Sequence, residues 1–351
     1  MTRTHISSIS GAYMRATLSV VAAGLLALAA SFVGLSPARA QQGKVAMLLP
    51  GSINDQSWNA NGYRALVKLK ENGVETAYSE NVAPADHIEA MKDYARRGFN
   101  PVIGHSGRFL SAAQRVSPDF EKTHFIVGSG AAGFGKNVTA IDYDNAQMGY
   151  LMGVLAARLS KTGKVGAVSG LEGLPTIVGA IGGFRLGAKS VSPEIEVKVI
   201  YLKDMEDAAS AKEAALALIA GGADVVHAKL NAGQIGIIQA AKEKGVFTSA
   251  RSLAQVEAAP QNVLTAITEK WAEMYMAAVN DAQAGKLKPE LVIYGYNAAG
   301  GSGAELRYTK DRELNPAVPP AVTAELEKVK KNFATGELKL NVTKQDARGG
   351  V

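Results

Sequence analysis

The stretch that decides the fold runs from residue 164 to residue 249. Lys164–Ser169 (KVGAVS), Glu196–Leu202 (EVKVIYL), Asp224–Ala228 (DVVHA) and Val246–Ser249 (VFTS) are short, largely apolar runs. The longer segments between them, Thr176–Ser190, Ala208–Ala220 and Gly233–Lys244, read as helices. Short apolar strands alternating with helices specify a parallel sheet of β-α-β units, in which helices cover both faces and each strand is apolar throughout.

Outward from that stretch the alternation continues. Lys44–Leu49 (KVAMLL), Pro101–Gly104 (PVIG), His124–Val127 (HFIV) and Val138–Ile141 (VTAI) are strand-like, with helical Trp58–Asn72, Ala85–Arg97 and Leu110–Val116 between them. Helix Ala146–Leu159 opens the second series, and helix Thr268–Ala284 and strand Leu291–Tyr294 come after it. The tail, 309–351, is more polar and is expected to wrap the surface. The two series divide near Asp144. The predicted fold is α/β: two doubly wound parallel-sheet lobes joined by hinge segments, the first built from 43–144 plus 263–288 and the second from 145–262 plus 289–345.

Composition narrows the function. The chain has 351 residues, 47% hydrophobic and 20% charged, as in an ordinary globule. It has no cysteine, which excludes disulfides, thiolate metal sites, cysteine nucleophiles and lipid attachment through a cysteine. The formal charge is +6, of which Arg3, Arg15 and Arg39 supply three; the remaining +3 gives no basic surface for nucleic acid. Residues 1–40 read as an export signal: Arg15 precedes an apolar run from Leu18 to Leu35, and Ala38-Arg39-Ala40 offers small residues flanking a cleavage point. The expectation is a soluble periplasmic protein without a lipid anchor.

Familiar catalytic patterns do not develop. Gly128-Ser-Gly130-Ala-Ala-Gly133 has dinucleotide-loop spacing, but a strand rather than a helix follows it, so no helix N-terminus meets a pyrophosphate. Histidines 87, 105, 124 and 227 lack metal-ligand spacing, and no G-x-S-x-G elbow occurs. Asp55 and Asp142 could form an acid–base pair, although nothing in their spacing selects that over hydrogen bonding. No metal, cofactor or enzymatic activity is expected.

Ligands of doubly wound sheets sit at the carboxyl ends of the strands. Ser57-Trp58-Asn59, His105, Asp142, Asp144, Glu172, Lys229, Asn231 and Arg251 all follow predicted strands. The Trp58 indole suits either a core or a flat stacking platform, and the neighbouring Asn59 carboxamide can donate and accept along one ring edge. Asp142 and Asp144 suit either helix capping or ligand contact. Arg251 is either a solvated edge or a fork for oxo and carboxylate groups.

In order and spacing, these segments resemble the basic membrane protein (BMP) family, substrate-binding components of ABC importers. Asp55-Gln-Ser57-Trp58-Asn59 is similar to the family's D-x-S-F-N opening. The likeness continues through Asp142-(x6)-Gly149, Gly153, Ser160–Gly166, Gly183-Phe184-(x2)-Gly187, Gly222–Val226 and Ala232-Gly233-(x2)-Gly236, over roughly Val45 to Thr268. The resemblance implies a type I periplasmic-binding-protein fold that holds a purine nucleoside between hinged lobes and delivers it to a membrane permease. Trp58 stands at the family's first stacking aromatic, Asn59 at the following Asn, and Met205 at the second aromatic. The acid at the end of the first lobe falls on Asp142 or Asp144, and His105–Arg108 replaces a Gly-rich turn.

The departures bear on substrate. Nucleoside-binding relatives carry G-V-D-x-D-Q where this chain reads Ser249-Ala-Arg251-Ser-Leu-Ala254. The Asp at the end of the first strand corresponds to Leu49 or Pro50, and the lysine after the next strand to Glu269 or Lys270. A site built for sugar hydroxyls rejects ligands without them, because its polar groups would be left buried and unpaired. With those carboxylates replaced, the expected ligand of Asp55, Ser57, Trp58, Asn59, His105, Asp142, Asp144, Glu172, Met205, Lys229, Asn231 and Arg251 is a purine-type base or similar flat heterocycle. The protein is expected to be a monomer. Alternatives are a nucleoside binder, a sensor subunit of a membrane receptor and a secreted nucleoside hydrolase.

Overall fold

The computed structural model describes residues 1, 43–55 and 57–351. The export-signal reading of 1–40 lies outside the described residues. Two six-stranded sheets organise the chain from Gly43 onward. The first has the order β11-β5-β4-β3-β1-β2 and the second β12-β10-β9-β8-β6-β7. In the first lie β1 (Lys44–Leu48), β2 (Glu75–Ser79), β3 (Val102–Gly104), β4 (Phe125–Gly128), β5 (Val138–Tyr143) and β11 (Leu291–Tyr294); in the second lie β6 (Lys164–Gly170), β7 (Glu196–Leu202), β8 (Val225–Lys229), β9 (Phe247–Ala250), β10 (Val263–Glu269) and β12 (Ala304–Arg307). All neighbouring strands run parallel except β10 and β12.

The expected two-lobe α/β architecture is present, with three strands that the sequence reading passed over. β2 (ETAYS) is a polar edge strand, β10 (VLTAITE) is broken by threonines, and β12 is short. The lobe boundaries shift accordingly. β10 pairs with β9 and β12 in the second sheet, so the chain stays there until Glu269 instead of leaving at 263. Helix α9 (Trp271–Gln283) then packs on α1 (Trp58–Glu71) and β11 joins β5, so residues 271–294 belong with the first sheet. The polar tail contains a helix, α10 (Pro320–Thr335), that packs on α4 (Asn145–Leu159) and carries an Arg158–Glu325 ion pair at 2.7 Å.

The glycines in the family-like motif have a packing reason. A Cβ at Gly149 or Gly153 of α4 would collide with the carbonyl oxygens of Ala180 and Phe184 on α5 (Pro175–Val191), and one at Gly183 or Gly187 with those of Ala146 and Tyr150. The two helices therefore press backbone to backbone. α4 starts at the first crossing between sheets, and the amino end of α5 reaches the space between the lobes. Proline at the first position of α5 fits because that N–H has no intrahelical partner. Among the described residues no helix is long and apolar enough to cross a membrane.

Candidate ligand-binding cleft

The carboxyl ends of both sets of strands face a cavity of about 410 Å³. Its wall takes Asp55, Trp58, Asn59, Met205, Lys229, Asn231 and Arg251 from the sequence-selected residues. Ser57, His105, Asp142, Asp144 and Glu172 are not on that wall.

The loop before α1 is built around one carboxylate. Asp55 accepts the backbone N–H groups of Ser57, Asn59 and Ala60 at 2.8–2.9 Å, and the Asn59 side-chain amide at 2.8 Å. The Asn59 carbonyl in turn accepts the Gly51 N–H at 3.0 Å. Asp55 satisfies the free N–H donors that open α1. The Asn59 carboxamide, read from sequence as a ring-edge contact, mostly fastens this loop. Ser57 is buried, with its N–H on Asp55.

Trp58 is held from behind. Its ring stacks on His105 with centroids 4.2 Å apart and planes 14° from parallel, and its indole N–H donates to the His105 carbonyl at 2.9 Å. Trp271 meets the same indole edge-on at 5.2 Å, and the Arg251 guanidinium lies over it at 6.0 Å. The indole is 8% exposed, so most of it is core, and its remaining edge borders the cavity. His105 is fully buried behind Trp58. Its Nε2 lies 3.0 Å from the Trp58 carbonyl, which can only accept, so Nε2 carries the proton and Nδ1 accepts from the Tyr275 hydroxyl at 2.7 Å. Burial pushes its pKa down to about 4.

The opposite wall is a buried charge network at the crossings between sheets. The Lys229 ammonium donates to the Tyr143 hydroxyl at 2.6 Å and to the Asn145 carbonyl oxygen. Tyr143 donates to Glu269 at 3.0 Å. Glu269 also binds the Trp271 indole N–H at 2.7 Å and forms an ion pair with Arg251, with both side chains almost wholly buried. Arg251 further donates to the Leu230 carbonyl at 2.7 Å and to Asn231 at 3.2 Å. Burial lowers the Lys229 pKa to about 8, and Glu269 offsets part of that. Glu269 is held below the usual carboxylate range by Arg251 and Lys229, against its desolvation.

Neither Asp142 nor Asp144 borders the main cavity. Both line a second depression of about 440 Å³ beyond the first crossing, which meets the cavity at Ala131, Pro175 and Thr176. Asp144 caps α4 by accepting the Gln147 N–H at 2.9 Å. Asp142 accepts the Tyr143 N–H and the Asn145 amide, each at 2.9 Å, and burial pushes its pKa up to about 7. Glu172 is exposed and accepts the Gly349 N–H at 3.0 Å, which ties it to the tail instead of the cleft. The Met205 side chain is on the wall as expected, while its carbonyl accepts N–H groups from Asn231 and Gly233.

Sequence reasoning passed over the apolar lip, Leu171 and Leu174, and gave no binding role to Arg108, Tyr143, Asn145 or Glu269, although all four fell in segments it had marked. Leu174 is 41% exposed in a loop after a strand, an apolar residue with no core to fill, and that was its signal.

Comparison with known proteins agrees with the fold. The profile of the Bmp family, ABC transporter substrate-binding protein PnrA-like, matches residues 42–300. The chain is similar to the transcriptional activator protein med of Bacillus subtilis (strain 168), with 29% identity over 73% of this chain and 80% of that protein. It is likewise similar to a purine-binding protein of Brucella abortus (strain 2308), with 28% identity over 72% of each. Among solved structures, an ABC transporter solute-binding protein from Conexibacter woesei DSM 14684 matches with a TM-score of 0.65 and 26% identity, covering 85% of this chain and 98% of that one.

Proposed function

The chain belongs to the Bmp family of PnrA-like ABC transporter substrate-binding proteins, and from that premise we propose that it captures a free purine-type base, not a nucleoside, between its two lobes. Ligand closes the lobes about their crossings, and the closed form is presented to a membrane permease from the periplasm. The reading is of a binder without catalytic chemistry.

One observation carries the choice of base over nucleoside. On the cavity wall the Asp55 carboxylate is filled by four N–H groups of the α1 loop, and each oxygen of Glu206 already accepts one, from the Asn231 amide and the Ala232 N–H. Ribose hydroxyls need acceptors that are free, and a polar group left without one is costly. The indole, backed by His105, offers the ring a flat apolar border. The similarity to a purine-binding relative supports a purine class. Mass spectrometry of small molecules released from the purified protein tests the proposal: a free base is expected, and a nucleoside would contradict it.

A further inference from the structure

The polar lining of the cleft is unbalanced in a way that bears on which base fits. Asp55 is filled by protein N–H groups and Glu206 half filled, whereas the cations keep protons in hand. Lys229 has two acceptors, Tyr143 and Asn145, for three N–H groups. Arg251 has three, the Leu230 carbonyl, Asn231 and Glu269, for five. Arg108, on the first-lobe wall and exposed, makes no side-chain hydrogen bond or ion pair among the described residues. Three cations with spare donors therefore outnumber the one wall carboxylate, Glu206, that keeps acceptor sites open. Lys229 and Arg251 come from the second sheet and Arg108 from the first, so closing the lobes brings positive charge to the ligand from two sides.

From this arrangement we infer that the ligand is an oxidised, carbonyl-rich purine of the urate or xanthine type, which offers several acceptors and loses a ring proton readily. Adenine has no oxo group, and its acceptors are ring nitrogens only. Its exocyclic amine is a donor, and it would face N–H groups here while lacking the oxo groups that those donors fit. A guanidinium and an ammonium also stabilise the anion formed when an oxopurine ionises, since charge-assisted hydrogen bonds are the stronger kind. The inference rests on the free-base reading above and narrows it.

Calorimetric titration of the purified protein at neutral pH with urate, xanthine, adenine and inosine separates the two. Urate or xanthine is expected to bind at least about tenfold tighter than adenine, with an affinity that falls as salt is raised. Arg108→Gln, at an exposed position, and Lys229→Gln should each weaken urate and xanthine binding more than adenine binding, and so narrow the gap. Adenine binding as tightly as both oxopurines, or a gap untouched by Arg108→Gln and Lys229→Gln, overturns this inference and leaves the base reading standing. Inosine binding tighter than every base overturns the base reading itself.

Discussion

The ammonium of Lys229, on β8 of the second sheet, donates to the hydroxyl of Tyr143, the last residue of β5 in the first sheet, at 2.6 Å. The Tyr143 hydroxyl in turn donates a hydrogen bond to Glu269, where the chain makes its second crossing. One hydroxyl thus joins a cavity-lining cation to two hinge segments. Tyr143→Phe removes both hydrogen bonds and leaves one buried donor of Lys229 and one acceptor site of Glu269 unfilled, so a loss of about 1–3 kcal/mol in unfolding free energy is expected from denaturant titration. No change would show that the two crossings are not coupled through this group.

Glu269 compensates the buried Arg251 guanidinium. Glu269→Gln leaves that cation without its counter-ion and should destabilise the protein by about 3–5 kcal/mol. Replacing both partners by apolar residues of similar size should recover most of the loss, which thermal and denaturant unfolding of single and double variants would measure.

Trp58→Ala strips the aromatic border from the cleft. Base–aromatic stacking sets the expected loss at about 1–3 kcal/mol of binding free energy, with Trp58→Phe milder. Unchanged affinity in the alanine variant would place the ligand away from the indole.

Two buried histidines make the fold sensitive to acid. Burial lowers His105 from 6.5 to about 4 and His227 from 6.5 to about 3. The unfolded chain takes up these protons first. The stabilisation from keeping both rings neutral is therefore fully present above 6.5 and is lost as pH falls through that window. Asp142 acts in the opposite sense: raised from 3.8 to about 7, its contribution is present at low pH and lost as pH rises through 7. Two groups outweigh one, so stability should fall below pH 6.5, by a few kcal/mol in total. Asp142→Asn should steepen that fall and His227→Phe should flatten it. Unfolding free energies across the window decide, and equal slopes in all three proteins would refute the assignment.

How far the sequence carried the reading follows from what leaves a mark in it. The second-lobe strands are apolar on both faces and bounded by helices, and they are legible from a few residues such as Lys164–Ser169. β2 and β12 are edge strands, and β10 places Thr265 and Thr268 among its apolar residues, so no run announces them. Missing β10 displaced the lobe boundary from 270 to 263. In the cleft, strand-end position located Trp58, Lys229, Asn231 and Arg251. It could not distinguish side chains that face the cavity from those spent on local structure. Asp144 is a helix cap and Asp55 fastens the loop before α1, each through backbone N–H groups a few residues further on, while His105 supports the indole from behind through a ring contact that only folding brings about. Glu269 was in view as a motif position, but its pairing with Arg251 joins residues on two strands and has no local signature.

Hypoxanthine and inosine share one base and differ by a ribose, so their paired calorimetric titration against the purified protein bears most directly on a cleft fitted to a ring without a sugar. Hypoxanthine is expected to bind, with inosine weaker by about tenfold or more because the Asp55 carboxylate, already filled by loop N–H groups, cannot receive its hydroxyls. Inosine binding as tightly as hypoxanthine, or tighter, would contradict the account.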